Sequence, residues 1–181
     1  LTGGYTTDHG GIIDNPGRLT ITDLAITAGT AEGDGGGIYT RFGATLSATG
    51  VLLSSNTATG GGALAADAGS VVTLTNVTIS GNGVGVPFSF GAGIALLAQD
   101  TNTLCANVAG NSPSGSNFIP GTDDDILVSE GATATLRVTQ VAPSPAVDPS
   151  EIDDANGGAT VGVVGSPLWG QPACPVPPVV P

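Results

Sequence analysis

Apolar residues recur along the chain at relative positions 0, 2, 5 and 7 of a repeating unit. The first unit carries Leu19, Ile21, Leu24 and Ile26; the second Leu46, Ala48, Val51 and Leu53; the third Val72, Leu74, Val77 and Ile79. Each half of the pattern alternates with period two, as a strand with one buried face does. The extra residue between the halves is a phase slip, which a bend produces when both segments keep their apolar side chains inward. The pattern predicts two short strands joined by a bend, and the Thr and Val content suits strands better than helix.

A second landmark frames these units. It runs His9-Gly10-Gly11-Ile12-Ile13, then Gly35-Gly36-Gly37-Ile38-Tyr39, Gly60-Gly61-Gly62-Ala63-Leu64 and Gly91-Ala92-Gly93-Ile94-Ala95, with a degenerate copy at Asp124-Asp125-Ile126-Leu127. With Ile12, Ile38, Ala63, Ile94 and Ile126 taken as equivalent, the spacings are 26, 25, 31 and 32. Three residues after the last apolar position stands Asn56, Asn82 or Asn111, with Gly29 in the first unit. Asn and Gly tolerate left-handed backbone, so the three Asn are predicted at corners, together with Gly36, Gly61 and Gly93. Stacked Asn side chains would also bond along a ladder.

Three short strands and three turns per repeat predict an all-β fold, a parallel β-helix whose coils stack about 4.8 Å apart. About five coils fit residues 9–141, with 1–8 as a lead-in and 142–181 as a Pro-rich cap or tail. Residues 83–90 and 111–120 read as insertions between strands. Phe88 and Phe90, in the first of these, either fold back on the coil or form an apolar contact patch.

Composition narrows the function. Of 181 residues 30 are Gly and 13 Pro, and 10% are charged, against roughly 25% in an average domain. Lys is absent, the basic residues are Arg18, Arg41 and Arg137, and fifteen acids bring the net charge to −12. Three scattered Arg cannot neutralise a phosphate backbone, which excludes nucleic acid as a partner. A chain that is 40% apolar is not a disordered one, and no apolar run reaches the roughly 18 residues of a membrane span. The sequence opens at Leu1 without a signal-peptide pattern, as expected of a mature or trimmed chain. Cys105 and Cys174 are most simply one disulfide in an oxidising compartment, two separate thiols being the alternative. The bridge would close a loop of 69 residues (174 − 105), for about 4 kcal/mol in the chain-entropy model.

The segment Thr73-Leu74-Thr75-Asn76-Val77-Thr78-Ile79-Ser80-Gly81-Asn82 and the Gly-Gly-Gly-Ile corner resemble the repeats of bacterial secreted right-handed parallel β-helix proteins. They are also similar to the GGA[ILV] and FxxN repeats of chlamydial polymorphic outer-membrane proteins, with Leu53, Ile79 or Val108 where that motif has Phe. The resemblance covers residues 10–130. It implies a right-handed coil, a secreted or cell-surface location, and adhesion to a host, cell-surface or matrix component.

Enzymes on this fold set the comparison for chemistry. A pectate-lyase type needs a basic residue as base and further cations to grip substrate carboxylates, and the net charge here would repel such a polyanion. The hydrolase type is represented only by the Asp-Asp within Asp123-Asp124-Asp125. A glycosidase needs two converging carboxylates, yet aligning Asp14, Thr40 and Ala65 gives no acidic column. Asp123, Asp124 and Asp125 admit two readings, a Ca²⁺ site of hard oxygen ligands and a solvated turn; the cluster of Glu151, Asp153 and Asp154 admits the same two. Gly33-Asp34-Gly35-Gly36-Gly37 lacks the helix and lysine of a phosphate loop. His9 has no His or Cys partner at metal-ligand spacing, which suits a polar surface role. Trp169 reads as a plug over an end of the core, or as an exposed ring for carbohydrate stacking.

Thr20 and Thr22, and Thr73 and Thr75, form the Thr-x-Thr pairs of ice-binding solenoids. Leu46-Ser47-Ala48-Thr49 is read as interrupting them, so no regular Thr array is expected. The ends matter more. A β-helix leaves unpaired backbone groups at each end, and residues 1–9 offer no amphipathic helix to cover them, which invites head-to-tail stacking. The expected function is a non-catalytic extracellular or cell-surface structural or adhesive protein, without cofactor, able to assemble with itself. A carboxylate-pair polysaccharide hydrolase is the alternative, and an ice-binding solenoid a lesser one.

Overall fold

The computed structural model describes residues 1–67, 69–74 and 77–85, together with the backbone of Thr75 and of the strands at 94–97, 101–108, 126–128, 133–138, 152–154 and 160–163. The first repeat lays down β1 (Tyr5–Thr6), β2 (Ile13–Asn15), β3 (Arg18–Thr22) and β4 (Ala25–Thr27). The second adds β5 (Thr30–Ala31), β6 (Ile38–Thr40), β7 (Thr45–Thr49) and β8 (Leu52–Ser54), and the third β9 (Thr57–Ala58), β10 (Leu64–Asp67), β11 (Val71–Thr75) and β12 (Thr78–Ser80). Then follow β13 (Gly83–Val84), β14 (Ile94–Leu97), β15 (Thr101–Val108), β16 (Ile126–Val128), β17 (Thr133–Val138), β18 (Ile152–Asp154) and β19 (Thr160–Val163).

Every strand pairing among the described residues is parallel. The strands form four ladders, β1-β5-β9-β13, β2-β6-β10-β14-β16-β18, β3-β7-β11 and β4-β8-β12-β15-β17-β19. Parallel neighbours need a long crossover; here the crossover consists of the strands of the other three ladders. The fold is thus all-β, with parallel strands in stacked sheets, as a solenoid requires. Strands β18 and β19, inside the segment read as cap or tail, pair in parallel with β16 and β17.

The four-position apolar pattern becomes the core. Leu19, Leu46 and Val72 share one register column and Ile21, Ala48 and Leu74 the next; Ile26, Leu53 and Ile79 form a third. From the second repeat onward these residues are fully buried, whereas Ile12, Ile13, Leu19, Ile21 and Leu24 of the first are only partly so. They are the outermost apolar layer, with neighbours on one side. The phase slip falls where Asp23 (φ 49°) and Gly50 (φ 63°) take the left-handed conformation, which turns the chain from the third ladder to the fourth.

Two expectations shift by one residue. The paired column is Ile13, Ile38, Leu64, Ile94 and Ile126, continued by Ile152, so Ile12 and Ala63 are not the equivalents of Ile38. The register counts from the left-handed glycines Gly10, Gly35 and Gly61, three residues before each strand, and not from the last Gly of the run. The Asn corners also differ. The left-handed residues are Ala28, Ser55 and Gly81, each one place before Gly29, Asn56 and Asn82. The asparagines are buried instead and act through their side chains. Among the expected corner glycines, Gly61 has φ 60°. At Gly36 a Cβ would land on the carbonyl oxygens of Gly62 and Thr57, so close approach of neighbouring repeats requires it. Gly93 and Asn111 lie outside the described residues.

Candidate functional site

The densest polar chemistry among the described residues sits on the outer side of the second ladder, around the turns that precede β2 and β6. Strand β6 buries Ile38 and Thr40 and, by alternation, places Tyr39 between them on the other face. The turn before β2 carries Asp8 and His9, and the turn before β6 carries Asp34. The His9 ring stacks on Tyr39 with centroids 4.3 Å apart and planes inclined by 17°.

Backbone geometry assigns the neutral tautomer of His9. The Asp34 N–H donates to His9 Nδ1 at 2.9 Å, so the ring proton is on Nε2, which lies 3.4 Å from Asp8 Oδ1. The Asp34 carboxylate is close as well, Oδ2 being 3.5 Å from Nδ1. Burial raises the Asp34 carboxyl above its ordinary value; His9 opposes that rise, and the charge of Asp67 adds to it. Tyr39 Oη donates to Asp67 Oδ2 at 2.5 Å, and burial followed by that bond pushes the phenol pKa up. Beside them Arg41 grips Asp14 with Nε to Oδ1 at 2.7 Å and Nη2 to Oδ2 at 2.5 Å.

Each of these contacts joins one repeat to the next. The sequence separations are 25 for His9 with Asp34, 28 for Tyr39 with Asp67 and 27 for Arg41 with Asp14, close to one repeat length. The imidazole acceptor, the phenol proton and the guanidinium fork are all engaged within the chain. What the cluster does with them is clamp three successive repeats along one edge. Among the described residues, no group of three or more His, Cys, Asp or Glu is placed to hold a metal ion.

No protein-family model matches this chain, and no curated protein or solved structure matches it either.

A second set of polar residues is internal. Asn56 and Asn82 are buried, at 0% and 1% exposure. Asn56 Oδ1 accepts from the Gly29 N–H at 2.9 Å, and its Nδ2 donates to Ile26 O at 3.1 Å and to Asn82 Oδ1 at 3.0 Å. Asn82 Oδ1 also accepts from the Asn56 N–H at 3.0 Å, and Asn82 Nδ2 donates to Leu53 O at 3.0 Å. The ladder expected from the stacked Asn is present, and each side chain satisfies backbone groups at a corner that strand pairing leaves open.

Asp123, Asp124 and Asp125, Cys174, Glu151, Trp169, Phe88 and Phe90 lie outside the described residues. Cys105 stands on β15 in register with Arg137; Asp153 and Asp154 stand on β18 opposite Leu127 and Val128. The corrected register aligns Asp14 with Tyr39 and Ala65, so Thr40 is displaced from the column expected for it. The clamp of Asp34, Tyr39, Arg41 and Asp67 was not picked out by motif. Its one sequence signal is the recurrence of complementary polar residues at about one repeat length, which becomes readable only once the register is known.

Proposed function

We propose that the chain is a non-catalytic structural or adhesive protein, secreted or displayed at a cell surface, that stacks end to end with further copies of itself. Its stacked sheets are the wall of a right-handed parallel β-helix of about five coils over 9–141, with 142–181 as the Pro-rich cap or tail; β18 and β19 prolong two of its ladders. Right-handed crossover is the near-universal choice for parallel strands. The resemblance to bacterial surface β-helix repeats supports the location, and an oxidising compartment would permit the Cys105–Cys174 disulfide. Besides itself, the partner class is a host, cell-surface or matrix component.

The half-buried first layer carries this reading. Strands β1, β2 and β3 each pair on one side only among the described residues, and Ile12, Ile13, Leu19, Ile21 and Leu24 pack against the core without being covered. Residues 1–3 reach back over β4, where the Leu1 amino group donates to Ala25 O at 2.7 Å and Thr2 bridges Thr27, so one ladder already shows how an added strand seats there. A second copy could extend the others by the same pairing. Electron microscopy of the purified full chain at rising concentration tests this. Filaments of uniform width support it, and short single particles at millimolar concentration overturn it.

One observation favours the hydrolase alternative, a half-buried Asp34 with a raised pKa near Asp67, the environment of a general acid. Release of reducing sugar from a polysaccharide panel, abolished by Asp34→Asn, would establish it.

A further inference from the structure

We propose that the outer face of the β3–β7–β11 sheet is an ice-binding surface whose ligand is the ordered water of an ice face. The first and third repeats carry Thr-x-Thr and the second Ser47-x-Thr49, and the register sets these positions side by side. Thr20, Ser47 and Thr73 stand in one column, and Thr22, Thr49 and Thr75 in the next. Alternate residues of the same strands face the core, Leu46, Ala48, Val72 and Leu74 within its buried cluster and Leu19 and Ile21 packed against it, so the hydroxyl-bearing positions occupy the opposite face. Thr20 and Thr22 are exposed, and Ser47, Thr49 and Thr73 partly so. The third column, Arg18, Thr45 and Val71, borders the array.

Three properties make this a lattice and not merely a row of strand-forming residues. Its spacings are fixed by the backbone, about 4.8 Å between strands and about 6.6 Å between alternate residues of one strand. The hydroxyls therefore repeat at fixed intervals in two directions, as a face that meets a crystal of water must. The hydroxyls of Thr20, Thr22, Ser47, Thr49 and Thr73 make no hydrogen bond to the chain among the described residues. Each hydroxyl can donate one bond and accept two, so it can enter a water lattice in either sense, and the Thr methyl groups fill the spaces between. The face is also free of acids although the chain has fifteen, and its one charge, Arg18, is at the border. Strongly hydrated carboxylates would hold water in an arrangement of their own. The neighbouring face carries one hydroxyl column, Thr27, Ser54 and Ser80, but its other outward column is Ala25, Leu52 and Thr78, so it lacks the two adjacent hydroxyl columns of the β3–β7–β11 sheet. Farther along, the backbone register again sets threonines together, Thr101 with Thr133 and Thr160, and Thr103 with Thr135.

The proposal does not rest on self-assembly. Its test uses the full chain, taken as the monomer fraction from size exclusion, with thermal hysteresis by nanolitre osmometry and uptake of fluorescently labelled protein into a growing ice hemisphere. The wild type should open a freezing–melting gap and enter the ice. Ser47→Lys, which sets an ammonium in the centre of the array, should lose both signals while its circular-dichroism melt stays that of the wild type. Thr20→Lys, at an exposed position in the first repeat, serves the same purpose if Ser47→Lys fails to fold. Thr78→Lys, on the neighbouring face, should keep both signals. A wild type indistinguishable from serum albumin at equal concentration overturns the proposal. So do a folded lysine variant of the array with undiminished hysteresis and a Thr78→Lys variant as inactive as Ser47→Lys.

Discussion

Replacing Asn56 by Ala tests the internal ladder most directly. Asn56 is fully buried, and truncation deletes three side-chain hydrogen bonds, from the Gly29 N–H and to Ile26 O and Asn82 Oδ1. Asn82 Oδ1 keeps the Asn56 N–H as donor, so its loss is partial. The Gly29 N–H is also buried and loses its acceptor in a place closed to water. An orphaned buried group costs about 1–3 kcal/mol and an ordinary bond about 1 kcal/mol net; adding the space left by the amide brings the expected loss to about 3–4 kcal/mol. For a chain of this size each kcal/mol moves the midpoint by roughly 2–4 °C, which puts the shift near 10 °C. Urea and thermal unfolding followed by circular dichroism would measure it, with Ser55→Ala, exposed and one residue away, as a control within about 0.5 kcal/mol. Asn56→Asp sharpens the test. A carboxylate would face Ile26 O and Asn82 Oδ1, burial would raise its pKa in the folded state, and its deficit should shrink as pH falls through that raised value and be smallest below the ordinary carboxylate pKa. A loss under about 1 kcal/mol for Asn56→Ala would refute the view that these amides hold the corner together.

Ala28 occupies a left-handed corner, φ 57°, that the third repeat gives to Gly81; Ala28→Gly should stabilise by about 0.5–1 kcal/mol, the relief of left-handed strain less the greater freedom of Gly when unfolded, read as a higher urea midpoint at unchanged slope. Gly61→Ala meets both a positive φ and the Leu64 carbonyl oxygen, and should cost about 3 kcal/mol or more, visible as lost soluble yield or a collapsed melting transition. Asp34 has a folded-state pKa raised chiefly by burial, so its ionisation opposes folding. The folded state is favoured below the ordinary carboxylate pKa, and that advantage is lost as pH rises through the raised value. Asp34→Asn should accordingly be more stable than wild type at pH 7, the difference closing by pH 3 in parallel melts.

Fold class was legible because burial in stacked strands imposes the same demand on every repeat. Leu19, Leu46 and Val72 had to be apolar, and alternation with one slip reported both strands and their bend. Register was less legible: runs such as Gly35-Gly36-Gly37 do not mark which glycine is left-handed, and the alignment therefore slid by one at Ile12 and Ala63. The Asn corners were found for a reason that the structure amends, since Ser55 and Gly81 take the strained backbone while Asn56 and Asn82 supply hydrogen bonds. The clamp of His9, Asp14, Asp34, Tyr39, Arg41 and Asp67 carried no motif at all, because its members meet only across repeats.

The sequence by itself determined the period, the two-strand pattern inside it and the apolar inward positions, since these follow from chain-local alternation and from repetition. Tertiary structure decided which residue of one repeat faces which residue of the next. That choice is made by hydrogen bonds between segments some 25–30 residues apart, and a one-residue slip in them exchanges inner for outer faces. It is why Tyr39, not Thr40, stands beside Asp14.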